Sequence, residues 1–165
     1  MQLYHASNIV VEQPVIVNRF ATLDFGTGFY TTTNLSQATE FARKVFLRRG
    51  RKGRPIVNIY EFDKQAAQAV LQFLKFDEPD KEWLEFIVQN RQHGRSPDLD
   101  VDIIVGPVAN DDVFETVALF ESGQLSVEEA VERFKVKELY NQVLFCNMRA
   151  LDFLVFIDSM SEGVE

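Results

Sequence analysis

A chain of 165 residues, 46% hydrophobic and with 15 phenylalanines, has the length of one domain and ample material for a packed interior, which excludes an intrinsically disordered chain. Its net charge of −8 argues against broad, non-specific affinity for nucleic acid, which needs cations all along the phosphate track. No run reaches the roughly 18 apolar residues of a membrane span, and the first residues lack the basic-then-apolar order of a signal peptide, so a cytoplasmic address and no membrane partner are expected.

Residues 1–7 alternate as a first strand, with Leu3 and His5 on one side and Gln2 and Tyr4 on the other. Residues 8–23 read as extended or looped, with one weak strand over Val15 to Val17. The stretch from Asp24 to Thr33 is a tight turn feeding a strand, in which Gly26 and Gly28 allow close backbone approach to a ligand. Phe29 and Tyr30 fall on opposite faces of that strand, so Phe29 is expected to pack and Tyr30 to face a ligand; taken alone, the motif more often describes a hairpin with both rings in the core.

Asn34 or Ser36 can cap a helix whose stripe is Leu35, Ala38, Phe41, Ala42, Val45 and Phe46. That helix ends in glycines and Pro55 within a basic segment, residues 43–54, suited to a phosphate-bearing substrate, a nucleotide cofactor or an acidic partner, or simply to water. Ile56 to Phe62 alternates as a half-buried strand, and residues 64–76 read as helical through Ala67, Val70, Leu71 and Leu74. Asp80 can cap a helix over Lys81 to Arg91 that buries Trp83, Leu84, Phe86, Ile87 and Val88, with Asn90, Arg91 and His93 exposed at its end.

Val101 to Val105 is a continuous apolar run typical of a central strand, ended by Gly106-Pro107. Residues 109–112 form a loop and cap for a helix from Val113 to Glu121, and Ser-Val-Glu-Glu at 126–129 is a capping box opening a helix to Phe134. Tyr140 to Cys146 is the last clear strand and carries Gln142; residues 150–156 read as a further strand or a short helix. Strands and helices mix without regular βαβ alternation, which gives a single α+β domain over 1–165.

Two distant histidines and one cysteine leave no ligand-spaced cluster, so no metal site is expected. Cys146 lies in an apolar run and reads as a buried thiol rather than a nucleophile. No hydrolase triad motif is present, and the glycine turn lacks both the P-loop lysine and the dinucleotide fingerprint.

Three polar side chains stand on predicted strands: His5, Tyr30 and Gln142. In order and setting, Leu3-Tyr-His-Ala-Ser7, Gly26-Thr-Gly-Phe-Tyr30 and Tyr140-Asn-Gln142 resemble the three motif strands of the diphtheria-toxin-like and poly(ADP-ribose)-polymerase-like branch of ADP-ribosyltransferases, and more closely a family of small bacterial proteins related to them. Tyr4-His5, Asp24-Phe-Gly26, Gln37-Ala38, Trp83-Leu84, Asn90-Arg91, Gly106-Pro-Val-Ala109 and Asn141-Gln142 extend the resemblance over nearly the whole chain.

The resemblance implies a split mixed β-sheet with flanking helices and NAD as substrate. It assigns His5 to the adenosine ribose, the Ala6 backbone to the nicotinamide amide, and Tyr30 to the nicotinamide ring, with Gly28, Ser7 and Ser36 as further binding positions. Where the family usually has a glutamate this chain has Gln142, which can position a ribose but cannot supply negative charge to the oxocarbenium-like sugar that forms as the nicotinamide bond breaks. Asp24, Asp111 and Asp112 are loop carboxylates that could supply that charge. Ala6 replaces a glycine of many relatives. The implied activity is mono-ADP-ribosyl transfer to a macromolecular target, protein or nucleic acid, as a bacterial toxin or conflict effector, with a neutralising partner protein compatible with that role. The competing expectation is an inactive NAD or ADP-ribose binding module, or an interaction protein that has kept the fold.

Overall fold

The computed structural model describes residues 1–17, 23–107, 111–135 and 140–161. Among them are seven strands and six helices: β1 (Gln2–Ser7), β2 (Phe29–Thr32), α1 (Leu35–Arg48), β3 (Ile56–Phe62), α2 (Lys64–Val70), β4 (Phe73–Lys75), α3 (Lys81–His93), β5 (Ile103–Pro107), α4 (Asp111–Glu121), α5 (Val127–Phe134), β6 (Asn141–Phe145), α6 (Met148–Leu151) and β7 (Leu154–Ser161). The strands form one mixed sheet in the order β4-β5-β6-β2-β1-β3-β7, in which only β4 and β5 run parallel. The architecture is mixed α and β.

Local chemistry starts the helices. Asn34, Asp80 and Ser126 each accept a backbone N–H three residues on, and Ser126 and Glu129 complete the expected capping box. Ser36 is therefore not the cap; it lies exposed in the first turn of α1. That helix buries Ala38, Ala42 and Phe46 against β1 and β3, a stripe four residues apart, whereas Leu35 and Phe41 fall beside it and stay exposed.

The expected helix over 64–76 stops at Val70. Gln72 is drawn out of it because its N–H donates to the Asp102 carboxylate and its carbonyl accepts from the amides of Asp102 and Ile103, which seats Phe73–Lys75 as strand β4 on β5. Tertiary pairing overrides a helical period that Leu71 and Leu74 fit equally well. Val15 to Val17 forms no strand; Ile16 leans on the core while Val15 and Val17 are exposed. Gly106 and Pro107 are the last two residues of β5 and pair with Gln142 and Asn141. Residues 150–156 divide between α6 and β7.

Strand alternation gives the sheet two covered faces. On the first, Leu3, Phe29, Tyr60, Ile103, Val143 and Phe145 pack beneath α2, α6 and the leg through Val11 and Ile16. On the second, Tyr30, Ile104 and Leu144 lie under α3, α4 and α5, and Tyr4, Ala6 and Val57 lie under α1. No helix of the described residues is long and apolar enough to cross a membrane.

Candidate functional site

The middle of the sheet is its weakest junction. Six consecutive residue pairs join β1 to β3 and four join β2 to β6, but among the described residues β1 and β2 pair only at Tyr4 and Thr32. From there toward Ser7 and Phe29 the two strands part. Met1 and Phe62 exchange both backbone hydrogen bonds, at 2.8 Å each, so in the alternating antiparallel pattern the odd residues of β1 bond to β3. The backbone amides and carbonyls of Tyr4 and Ala6 therefore point toward β2. Tyr4 finds Thr32 there, whereas Ala6 has no ladder partner on β2.

His5 occupies the gap. Its Nδ1 lies 2.7 Å from the Tyr30 carbonyl, the group a paired Ala6 amide would reach. A carbonyl can only accept, so Nδ1 carries the proton and Nε2 is left as an acceptor. Burial lowers the His5 pKa, against the opposing pull of the bond to Tyr30, and keeps the ring neutral at pH 7. The ring stacks on Phe29 at 4.2 Å between centroids. Beside it, fully buried Asn58 donates to the His5 and Ile9 carbonyls and accepts from the Val11 amide at 2.8 Å, tying the 8–11 leg over this part of the sheet. Asn58 is not among the residues expected at the site, although a lone amide on an otherwise apolar strand face is its signal.

The three motif side chains do not share one face. His5 and Phe29 project from the first, Tyr30 and Gln142 from the second. Phe29 packs in the core as its position in the strand implied. Tyr30 is half-buried, and its hydroxyl donates to the Gly26 carbonyl at 2.7 Å while accepting from the Phe25 amide at 3.2 Å, so it ties down the glycine turn. Burial raises its pKa, which keeps it a phenol. Gln142 is buried opposite Thr32 and Gly106; its amide nitrogen sits 3.4 Å from the Pro107 carbonyl, which also accepts from the Trp83 indole at 3.2 Å.

Other expected positions find structural partners. Ser7 is buried and accepts from the Ile9 amide, and the Ala6 methyl packs toward α1. Gly28 is closed in by β6: a Cβ there would lie 2.6 Å from the Phe145 carbonyl oxygen and closer still to Leu144, so its bareness serves strand packing. Gly26 adopts φ +78°, open to glycine at no cost.

Asp24 meets Arg91, whose Nη2 and Nε lie 2.6 and 2.9 Å from one carboxylate oxygen, and the Asn90 amide donates to the Asp24 carbonyl. Asn90 is thus buried and Arg91 half-buried with its side chain turned inward, and only His93 of the three is exposed. Polarity misleads at this point: the end of α3 is polar because it grips the glycine turn, with Arg95 adding bonds to the Phe25 and Thr27 carbonyls. The side chains of Asp111 and Asp112, like residues 108–110, lie outside the described part.

A cleft of about 550 Å³ opens at this end of the sheet, lined by Thr27, Arg95, Asp98, Leu99, Cys146 and Asn147 among others. Neither it nor a second cleft of about 440 Å³ beside Pro107 and Asn141 is lined by His5, Tyr30 or Gln142. Cys146 is buried, with its thiol pushed up to about 11 by that burial. No group of three or more metal-ligating side chains is found among the described residues.

Fold and site together define a mixed α/β protein whose sheet is pinned at its centre by a histidine side chain. The chain belongs to the family described as Protein of unknown function (DUF3990), which matches residues 1–156. No curated protein and no solved structure matches it.

Proposed function

We propose that the chain is an NAD-dependent mono-ADP-ribosyltransferase acting on a macromolecular target, its NAD held where β1 and β2 part, in an ADP-ribosyltransferase-like sheet. The observation that carries this reading is the seam: His5 takes the Tyr30 carbonyl, and Ala6 has no ladder partner on β2. An amide and a carbonyl side by side on an extended strand are the complement of a carboxamide such as that of nicotinamide. A neutral His5 with Nε2 as acceptor suits a ribose hydroxyl. In this reading Tyr30 contributes by holding the Phe25-Gly26 turn as well as through its half-buried ring.

Gln142 supports a second reading, an NAD or ADP-ribose binding module without turnover. It is neutral, buried and directed to the Pro107 carbonyl, and supplies a developing cationic sugar with an amide dipole only.

Incubating the purified chain with NAD and cell extract tests both. Release of nicotinamide with transfer of ADP-ribose to a macromolecule, lost in His5→Ala, is the expected result. A thermal shift with NAD but neither release nor transfer establishes the binding module, and no shift at all removes both.

A further inference from the structure

Seven cations lie exposed between Arg43 and Arg54, and no Asp or Glu interrupts the chain from Phe41 to Tyr60. With 17 Lys and Arg in all against 25 Asp and Glu, the remainder of the protein is strongly acidic, so a polyanion is repelled elsewhere and attracted here.

This charge is held on a shaped element. After α1, the Arg49 amide donates to the Val45 carbonyl, the Gly50 amide to Leu47 and the Arg51 amide to Phe46, each at 3.0 Å, with Arg51 at φ 59°. The loop is then fastened to the end of β1: Asn8 donates to the Lys52 carbonyl at 3.0 Å and accepts the Arg54 amide at 3.2 Å, and Gly53 packs so closely that a Cβ would overlap the Asn8 carbonyl. Little backbone freedom remains to be lost on binding. On α1, Phe41 is 46% exposed and the Arg48 guanidinium, at the helix end next to the loop, lies 5.7 Å from its ring centroid, a flat surface adjoining the loop cations.

We propose that this ridge binds single-stranded nucleic acid, phosphates lying on Arg48, Arg49, Lys52 and Arg54 and a base stacking on the Phe41–Arg48 surface. A run of Asp and Glu would satisfy the cations but carries no π-face for that surface, whereas every base has one. The site lies at the Asn8 end of β1, the end at which β1 and β2 part, and its binding does not depend on the NAD reading.

The test is fluorescence anisotropy of the intact chain, without NAD, against fluorescein-labelled 20-nucleotide oligo(dT) and oligo(U) in 50 and 200 mM KCl. Four or so neutralised phosphates give a salt slope near −3, hence about 60-fold weaker binding at the higher salt. Arg48→Gln/Arg49→Gln/Lys52→Gln/Arg54→Gln loses roughly tenfold or more in affinity and flattens the slope. Phe41→Ala loses about fivefold or more with the slope kept. The pair Arg49→Gln/Lys52→Gln replaces the quadruple variant should that one melt early. Equal affinity for the two oligonucleotides supports recognition shared by both backbones, and a preference names the source. The proposal is overturned by no binding in 50 mM KCl, by binding that the glutamine variants leave intact, or by a 20-residue polyglutamate that binds while the oligonucleotides do not.

Discussion

Gly28→Ala separates a glycine kept for packing from one kept for ligand approach. The added methyl would sit 2.6 Å from the Phe145 carbonyl oxygen, and ordinary contact begins near 3.4 Å. Leu144 can turn its side chain aside, but Phe145 is paired with Phe29, so relief requires a backbone shift of about 0.8 Å in two strands at the middle of the sheet. Overpacking of this kind costs about 2–3 kcal/mol, which for a chain of 165 residues lowers Tm by roughly 5–10 °C. Thermal unfolding followed by circular dichroism measures it. In the double variant Gly28→Ala/Leu144→Ala the cost should fall below the sum of the singles by about 1 kcal/mol, because one of the two clashing groups is gone. A Gly28→Ala protein melting within about 1 °C of the parent refutes the packing account, and one that also loses NAD binding returns Gly28 to the ligand.

Four further outcomes follow from the same geometry. Because the folded His5 pKa lies below the unfolded value of about 6.5, the unfolded chain takes up the proton first; stability is level above that pH and declines as pH falls from it toward the folded value. Urea unfolding between pH 8 and 5 should show the decline, and His5→Gln should remove that component; an unchanged profile would count against a buried neutral ring. Arg91→Met removes the guanidinium that bonds Asp24 and should cost about 1.5–3 kcal/mol in chemical denaturation, whereas a loss below about 0.5 kcal/mol would make the contact incidental. With its pKa near 11, Cys146 should react with Ellman's reagent at pH 8 on the order of 100-fold more slowly in the folded than in the urea-unfolded chain, and comparable rates would contradict its burial. Under the proposed transferase activity, Gln142→Glu should raise nicotinamide release on the order of tenfold while lowering Tm, since a carboxylate is poorly placed beside the Pro107 carbonyl; unchanged release would remove Gln142 from the ribose.

Side chains that bond their own neighbourhood are legible in the sequence. The caps at Asn34, Asp80 and Ser126 act over three residues, and the alternation through Ile56 to Phe62 exposes its pleat directly. The candidate site is half legible. His5, Tyr30 and Gln142 stand out as polar groups on strands, and neighbours in the sheet do carry them, but their division between two faces depends on register. Asn90 and Arg91 look like surface residues because nothing near them in sequence needs a donor; their acceptors, Asp24 and its carbonyl, arrive from more than 60 residues away.

By itself the sequence determined that this chain folds around strands and helices of mixed order, where most of the helices begin, and that one short segment concentrates its positive charge, because those properties depend on periodicity, caps and composition. Only the tertiary structure decided that β1 lies between β2 and β3, that residues 73–75 leave a helix to join β5, and that the β1–β2 junction holds at one residue pair with a histidine beyond it. The physical reason is that a strand's backbone groups are satisfied by whichever strand arrives beside them. Neither that choice nor the place where it fails is written within the span of a single strand.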